Sequence, residues 1–466
     1  MLTKENIQQL KSNGSSAIKE FIAEYEDAKS LVQIFEWLGR LPSAFDGDFI
    51  IDYLQHKNVN VRIWAVKTLG KLANDSYIEV LKDVAFKDLD TSVRREAVSS
   101  IGRLKSEKAK KVLIAFLKDK DPKIVCQAIR GLLVFKGQAI IDEELKKLIN
   151  HENETVEAIV RKEYFSSTST KSNKSHSYVR DELKNAVVNG DTIKIMAMVP
   201  DESVHLTFTS PPYYNARDYS IYPSYEHYLE FLTETFKQVH RITKEGRFLV
   251  INTSPVIVPR ISRAYSSKRY PIPFDIHHYL TNIGWEFIDD IIWLKPEASV
   301  KNRVGGFMQH RKPLGYKPNS VTEYLMVYRK KTDKLLDWNI KSYREEVVNS
   351  SKISGDYDST NVWRIDPSYS KSHSAVFPSE LCRRVIQYYS YKGDLVFDPF
   401  GGSGTVADTA TKLERFFFLT ELDKKYFEYI KSRDLTSLLH DEKPSFYSEK
   451  KFRELMASSE KGSSST

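Results

Sequence analysis

The sequence predicts two folds in series: an all-α helical repeat domain over residues 1–165, then an α/β domain over residues 178–440 whose parallel sheet is flanked by helices. Three observations carry this. One apolar pattern recurs in the first third of the chain with shifts of 32 and 31 residues. Strand-like apolar runs alternate with helical patterns in the remainder. Between them, residues 166–177 are a polar, low-complexity run that reads as a flexible linker.

The repeats come first. Val61 to Gly70 aligns with Val93 to Gly102 and then with Ile124 to Leu132; Leu31 to Gly39 is a weaker earlier copy. Each copy spaces its apolar residues as one helix face and places a small Ala (Ala65, Ala97, Ala128) where a neighbouring helix must come close. Tyr77–Phe86 and Lys110–Leu117 are the intervening second helices. The pattern resembles HEAT-like repeats, which stack because one helix pair cannot bury its apolar face alone. Solenoids of this kind bind proteins or lay basic edges along DNA. Arg62, Lys67, Arg94, Arg95, Arg103 and Arg130 are candidates for such an edge, with a solvated face as the alternative.

In the second domain, Val204–Thr209 is a strand that runs into Thr-Ser-Pro-Pro-Tyr. The prolines Pro211 and Pro212 fix φ and remove two backbone donors, so local carbonyls face outward as acceptors. Ser210 adds a hydroxyl, and Tyr213 a flat ring on which a base can stack. Read alone, the run is more readily a rigid strand-end turn. Glu226–Ile242 is then a helix, Arg247–Asn252 a strand, Phe274–Ile283 a helix, and Trp285–Leu294 and Tyr324–Tyr328 strands. A last strand over Asp394–Phe397 enters a glycine-rich turn, with a helix beginning near Thr405. Glycine there lets backbone N–H groups approach a ligand at a helix N-terminus. No Lys follows the last glycine, and the dinucleotide Gly-x-Gly-x-x-Gly frame is absent, so neither a triphosphate nor NAD is expected. The run Phe416–Thr420 ends in Glu421, placed to hold the two hydroxyls of a ribose.

Thr-Ser-Pro-Pro-Tyr followed by Phe-Asp-Pro-Phe-Gly-Gly-Ser-Gly-Thr resembles the amino-group DNA methyltransferases that use S-adenosyl-L-methionine. The catalytic motif preceding the cofactor motif is the permuted order of their β group. The resemblance covers roughly residues 178–435 and implies a Rossmann-like methyltransferase domain. It implies a catalytic set of Ser210, Pro211, Pro212 and Tyr213. It also implies cofactor contacts from Asp191, Phe377, Ser379, Asp398, Pro399, Phe400, Gly401, Gly402, Ser403, Gly404, Thr405 and Glu421. Residues 331–372 fall where the family carries its target-recognition region, with Asp356, Tyr357, Asn361, Trp363 and Arg364 in it; Trp363 is equally a core residue.

The chemistry fits these groups. An exocyclic amine is a poor nucleophile because its lone pair is delocalised into the ring. Acceptors at Ser210 and the Pro211 carbonyl favour a more tetrahedral nitrogen, with catalysis arising from positioning and preorganised dipoles. The target base must leave the duplex to reach such a pocket. Carbon-5 methylation of cytosine needs a cysteine nucleophile, and neither Cys126 nor Cys382 lies in a setting for one. In the family, Ser at the first motif position accompanies N4 of cytosine and Asp accompanies N6 of adenine, so Ser210 points to cytosine, with adenine as the alternative. A HEAT-type scaffold that only binds nucleic acid is the non-enzymatic alternative; the intact serine, glycines and Glu421 speak against it.

Double-stranded DNA is the expected partner, and the helical repeats add a protein partner or a further DNA contact. Arg260, Arg263, Lys268 and Arg269 form one candidate DNA-contacting loop, and Lys301, Arg303, Arg311 and Lys312 a second. The formal charge of +8 and pI near 9.0 suit a polyanion. Two cysteines in unrelated settings argue against disulfides and against a zinc site, and no metal is expected. No run approaches the length of a membrane span, so the expectation is a soluble, cytoplasmic protein. Residues 441–466 read as a polar C-terminal tail.

Overall fold

The structure, a computed structural model, describes residues 2–42, 45–165, 176–215, 222–258, 268–297, 320–355, 357–367, 378–435 and 443–463, with positions 264 and 313. The chain divides into two compact units, Met1–Ser169 and Thr170–Thr466.

Among the described residues the first unit is all helical. The repeated motif forms helices Ala28–Leu38, Val59–Lys71, Thr91–Leu104 and Pro122–Leu132, with Ile78–Lys87 and Glu107–Ala115 as second helices. An Asx residue caps each later first helix: Asn58, Asp90, Asp121 and Asn153 accept from the backbone N–H of Asn60, Ser92, Lys123 and Thr155. Ala65, Ala97 and Ala128 are fully buried. Close approach continues at the glycines. A Cβ on Gly70 would lie 2.4 Å from the Ser100 Cβ, and one on Gly102 3.2 Å from the Gly131 Cα.

The proposed basic edge is largely consumed within the unit. Arg62 pairs with Asp88 at 2.8 Å, Arg94 with Asp119 at 2.5 Å, Arg95 with Asp121 at 2.7 Å and Arg103 with Glu96 at 2.9 Å. Three of these acids sit in the turns between helices, so the arginines tie one repeat to the next. Lys67 lies over the Trp64 ring. The solvated-edge and DNA-edge readings both give way to repeat-to-repeat ion pairs for Arg62, Arg94 and Arg95.

The second unit is built on one sheet. Its strands are β1 (Ala186–Asn189), β2 (Val204–Thr209), β3 (Thr243–Thr253), β6 (Trp285–Leu294), β7 (Thr322–Lys330), β8 (Val362–Arg364), β9 (Leu395–Asp398), β10 (Phe416–Glu421) and β11 (Ser445–Ser448). Among the described residues their order is β11-β1-β10-β9-β2-β3-β7-β6-β8. A separate hairpin joins β4 (Val256–Val258) and β5 (Lys268–Tyr270). The expected wholly parallel sheet is a mixed one, because β7 runs antiparallel to both β3 and β6. Helices Tyr225–Ile242 and Ile272–Ile283 cover one face, where Phe236 and Leu280 are fully buried; Ser379–Tyr389 and Thr405–Lys412 cover the other, with Val385 and Val406.

The central strands β2 and β9 are parallel neighbours, with Leu206 opposite Val396 and Thr207 opposite Phe397. From this pair the chain winds outward both ways, to β3 and to β10. That makes a switch point, and a crevice opens at the carboxyl ends of the strands.

Residues 443–463 correct the expectation of a tail. β11 adds to the sheet in parallel with β1, and the helix Glu449–Ser463 follows it. Phe452 is fully buried and stacks on Phe418 at 5.8 Å; Met456 is 3% exposed. A polar majority hid this, since only one face of the helix is apolar. Truncation after residue 442 exposes the β1 edge and empties the Phe452 site, so it is expected to cost about 3 kcal/mol or more, read as a lower urea midpoint.

The stretch expected to read target DNA is also divided. Helices Leu336–Ile340 and Glu345–Ser350 lie at the amino-terminal ends of the strands, away from the crevice. Asn339 donates to the Gly246 carbonyl at 2.9 Å, and the Tyr343 hydroxyl donates to buried Asp394 at 2.6 Å. Among the described residues of this stretch, β8 and its flanks run toward the crevice, with β8 pairing parallel to β6. Trp363 is a core residue, 3% exposed, whereas Tyr357 is 66% exposed. Asp356 lies outside the described residues.

Candidate cofactor and catalytic site

The carboxyl ends of four parallel strands converge on one cavity of about 380 Å³. It is within the range of small-molecule sites, about 300–1,000 Å³. Gly190 and Asp191 reach it from β1, residues 210–213 from β2, residues 398–403 and Thr405 from β9, and Glu421 from β10. The two motifs, almost two hundred residues apart, therefore share one space. A direct bond joins their strands: Thr209 Oγ1 donates to Asp398 Oδ1 at 2.6 Å.

The glycine loop is shaped by backbone demands. Gly402 and Gly404 adopt φ of +50° and +76°, left-handed values that favour glycine. Gly404 caps the helix Thr405–Lys412 and is not part of the cavity wall. A Cβ on Gly401 would lie 3.2 Å from Leu419 Cδ2. Asp398 also accepts from the Phe400 N–H at 3.0 Å, and Glu421 from the Gly402 N–H at 2.7 Å and the Asp423 N–H at 2.8 Å. Burial drives both carboxyls upward, Asp398 to about 6 and Glu421 to about 7; the hydrogen bonds they accept oppose this.

At the other wall, Asp191 caps a short helix by accepting from the Lys194 N–H at 3.0 Å. Asn189 Nδ2 and the Gly190 N–H both donate to the Glu421 carbonyl, at 2.8 and 3.0 Å, so the ends of β1 and β10 are tied together. Ser210 lines the cavity, and its hydroxyl has no hydrogen-bond partner among the described residues. The Tyr213 hydroxyl donates to Glu323 Oε2 at 3.1 Å. Burial, with Glu323 second, holds its phenol well above the ordinary range, so it stays neutral.

Several sequence-derived assignments fall elsewhere. Ser379 opens the helix Ser379–Tyr389, is exposed, and does not line the cavity; Phe377 lies outside the described residues. Of the candidate DNA-contacting cations, Lys268 and Arg269 are exposed on β5, while Arg260, Arg263, Lys301, Arg303, Arg311 and Lys312 lie outside the described residues. Burial raises the thiol of Cys382, and that of Cys126 too, so neither is poised as a nucleophile. Thr192, Tyr222, Phe231 and Tyr426 also line the cavity and belong to no motif. Only the fold brings them there, and no spacing signal marks them.

The wall fits S-adenosyl-L-methionine. Glu421 presents a carboxylate of suitable acceptor chemistry for a diol, the glycine turn brings backbone close, and Tyr222, Phe231 and Phe400 supply aromatic surface. Among the described residues, no group of three or more His, Cys, Asp or Glu is placed to hold a metal ion, and no helix is long and apolar enough to cross a membrane.

Comparisons with known proteins agree. Residues 204–432 match the N6/N4 DNA methylase family, and residues 78–163 match HEAT repeats. The Type II methyltransferase M.Cfr9I of Citrobacter freundii is 28% identical over 287 residues, covering 54% of this chain and 88% of that protein. The Type II beta methyltransferase M.BslI of Bacillus sp. (strain NEB-606) is 27% identical over 260 residues; the match covers 53% of this chain but spans only 27% of that longer protein. Among solved structures, the PvuII cytosine-N4-specific DNA methyltransferase is 19% identical with a TM-score of 0.41, covering 61% of this chain and 95% of its own. With its paired motifs on one cavity, the chain carries a DNA methyltransferase domain of the N6/N4 family, preceded by HEAT repeats.

Proposed function

We propose that the protein transfers the methyl group of S-adenosyl-L-methionine to the N4 amine of a cytosine extruded from double-stranded DNA at a specific sequence, as the methylase of a restriction-modification system. The observation that carries this is the single cavity lined by residues 210–213 and by the glycine turn with Glu421. When bound, the cofactor supplies an electrophilic methyl on a sulfonium. Ser210 Oγ and the Pro211 carbonyl accept from the amine hydrogens and hold its lone pair toward the cavity. Tyr213 supplies the ring on which the extruded base stacks. Glu421 accepts from the ribose hydroxyls, and the turn from Asp398 to Thr405 borders the rest of the cofactor. Cytosine is favoured over adenine by Ser210 alone, since most family members with Asp at this position act on adenine.

The test is direct. Plasmid DNA is incubated with the protein and labelled S-adenosylmethionine, digested to nucleosides, and the labelled nucleoside identified. N4-methylcytosine is expected. N6-methyladenine would move the target to adenine, and no transfer to any DNA would overturn the enzymatic reading.

A pH dependence follows from Glu421. Its carboxyl is raised in the folded protein to about 7 from an ordinary 4.5. The stability it contributes is therefore present below about 4.5 and lost as pH rises through about 7. Hydroxyl donors from a ribose favour the ionised form. Cofactor affinity is expected to rise as pH climbs through about 7 and then level off, measured by calorimetry across that range. A flat profile would remove Glu421 from the cofactor site.

A further inference from the structure

Glu323 belongs to no motif marked in the sequence, yet its carboxylate gathers groups from three other segments. Tyr213 follows β2, Asn252 is near the end of β3, Lys295 follows β6, and Glu323 itself is the second residue of β7. All four lie at the carboxyl-end crevice of the sheet, because antiparallel β7 begins where β3 and β6 end. Tyr213 Oη donates to Glu323 Oε2 at 3.1 Å, and Asn252 Nδ2 donates to the same oxygen at 3.0 Å. Lys295 Nζ donates to Oε1 at 2.6 Å. The Glu323 and Lys295 side chains are 14% and 18% exposed, and Asn252 is 2% exposed. Each carboxylate oxygen is thus engaged, and the lysine offsets its charge. A bare carboxylate beside an incoming polyanion would repel it; this one is neutralised where it stands.

We propose that Glu323 is a positioning residue that fixes the ring of Tyr213 for the extruded base, with Asn252 and Lys295 holding Glu323 in turn. This rests on the methyl-transfer reading above. The proline pair holds the backbone end of Tyr213, and Glu323 holds the hydroxyl end. With both ends held, the axis of the ring is set before any base arrives, and its rotamer entropy is not lost again at each turnover. The phenol remains the donor because burial and the neighbouring carboxylate keep it protonated. A base stacked on a ring free to swing would present its amine out of line with the methyl, and a displacement of about 1 Å costs up to about 100-fold in rate.

The experiment uses the full-length protein and plasmid DNA at saturating S-adenosylmethionine. Tyr213→Phe, Glu323→Ala and the double variant are compared for kcat, KM for DNA, and cofactor Kd by calorimetry. Each single change is expected to lower kcat about ten-fold or more with cofactor Kd unchanged. The double variant is expected to be no slower than the slower single one, because both remove the same bond. Full activity of Tyr213→Phe overturns the proposal, as do losses that multiply in the double variant. Tyr213→Phe removes one hydroxyl and keeps the ring, so it decides the matter even if Glu323→Ala does not fold. Tyr213→Ala separates this proposal from the reading beneath it. If Tyr213→Ala abolishes transfer and Tyr213→Phe does not, stacking stands and positioning by Glu323 falls; if Tyr213→Ala keeps full activity, the stacking role itself falls.

Discussion

Ser210→Ala is expected to lower methyl transfer by about 100-fold or more while leaving cofactor binding intact. The hydroxyl lines the cavity without a protein partner among the described residues, so it is free to accept from the target amine. Removing one preorganised hydrogen-bonding group that acts in the transition state costs about 100- to 1,000-fold elsewhere. Alanine leaves no buried group unpaired, so the fold should not suffer. Gly402→Asp is the complementary variant. Gly402 holds φ at +50°, and its N–H donates to Glu421. Aspartate there adds backbone strain and sets a second carboxylate against Glu421, which burial has already pushed up to about 7. Cofactor binding is expected to vanish in Gly402→Asp and persist in Ser210→Ala, both read by calorimetry. Full transfer by Ser210→Ala would end the account of amine activation.

Asp394→Ala is expected to destabilise the second unit by about 3–5 kcal/mol, enough to unfold many domains at physiological temperature. Asp394 is fully buried and pairs with Arg247, which is 3% exposed. Its carboxylate also accepts from the Tyr343 hydroxyl at 2.6 Å and the Tyr391 N–H at 2.8 Å. Removing it strands a buried guanidinium. Next to it, His205 is held neutral by burial, its pKa well below the ordinary value. Its Nδ1 accepts from the Leu395 N–H, so Nε2 carries the proton and donates to the His176 carbonyl at 3.1 Å. The whole network lies at the amino-terminal ends of the strands, opposite the cavity. Loss in Asp394→Ala should therefore appear in the urea midpoint and not in cofactor Kd at low temperature. Replacing Arg247 and Asp394 together by Met and Leu should recover much of the stability, because no unpaired charge then remains. If the double replacement is as unstable as Asp394→Ala, the cost lies in packing and not in the stranded charge.

Much of the site was legible before the fold, because its chemistry is local. Pro211, Pro212, Gly402 and Gly404 act through their own backbone angles, and a strand followed by a glycine turn and a helix places N–H groups at a ligand whatever surrounds it. The helical repeats were legible for a similar reason: their period follows from packing one helix pair on the next. The ion-paired arginines were not, since a cation on a helix looks the same whether it faces solvent or Asp88 in the neighbouring turn. The placement of residues 331–352 was not legible, because an insertion's position in sequence does not say which end of the sheet it covers. Tyr343 reaching Asp394 decides that it covers the end away from the cavity. The C-terminal strand was missed because a short run such as Ser445–Ser448 becomes a strand only when the open edge of β1 is there to pair it.

The sequence by itself determined the order of the two motifs, the residue types that can hold an amine and a ribose, and the presence of a repeat solenoid before them. Tertiary structure alone decided that β2 and β9 lie side by side, that Thr209 bonds Asp398 between them, and that Glu323 meets Tyr213. The physical reason is range. Backbone angles and helical periodicity are set within a few residues, whereas a hydrogen bond between positions more than a hundred residues apart exists only after the sheet has chosen its strand order.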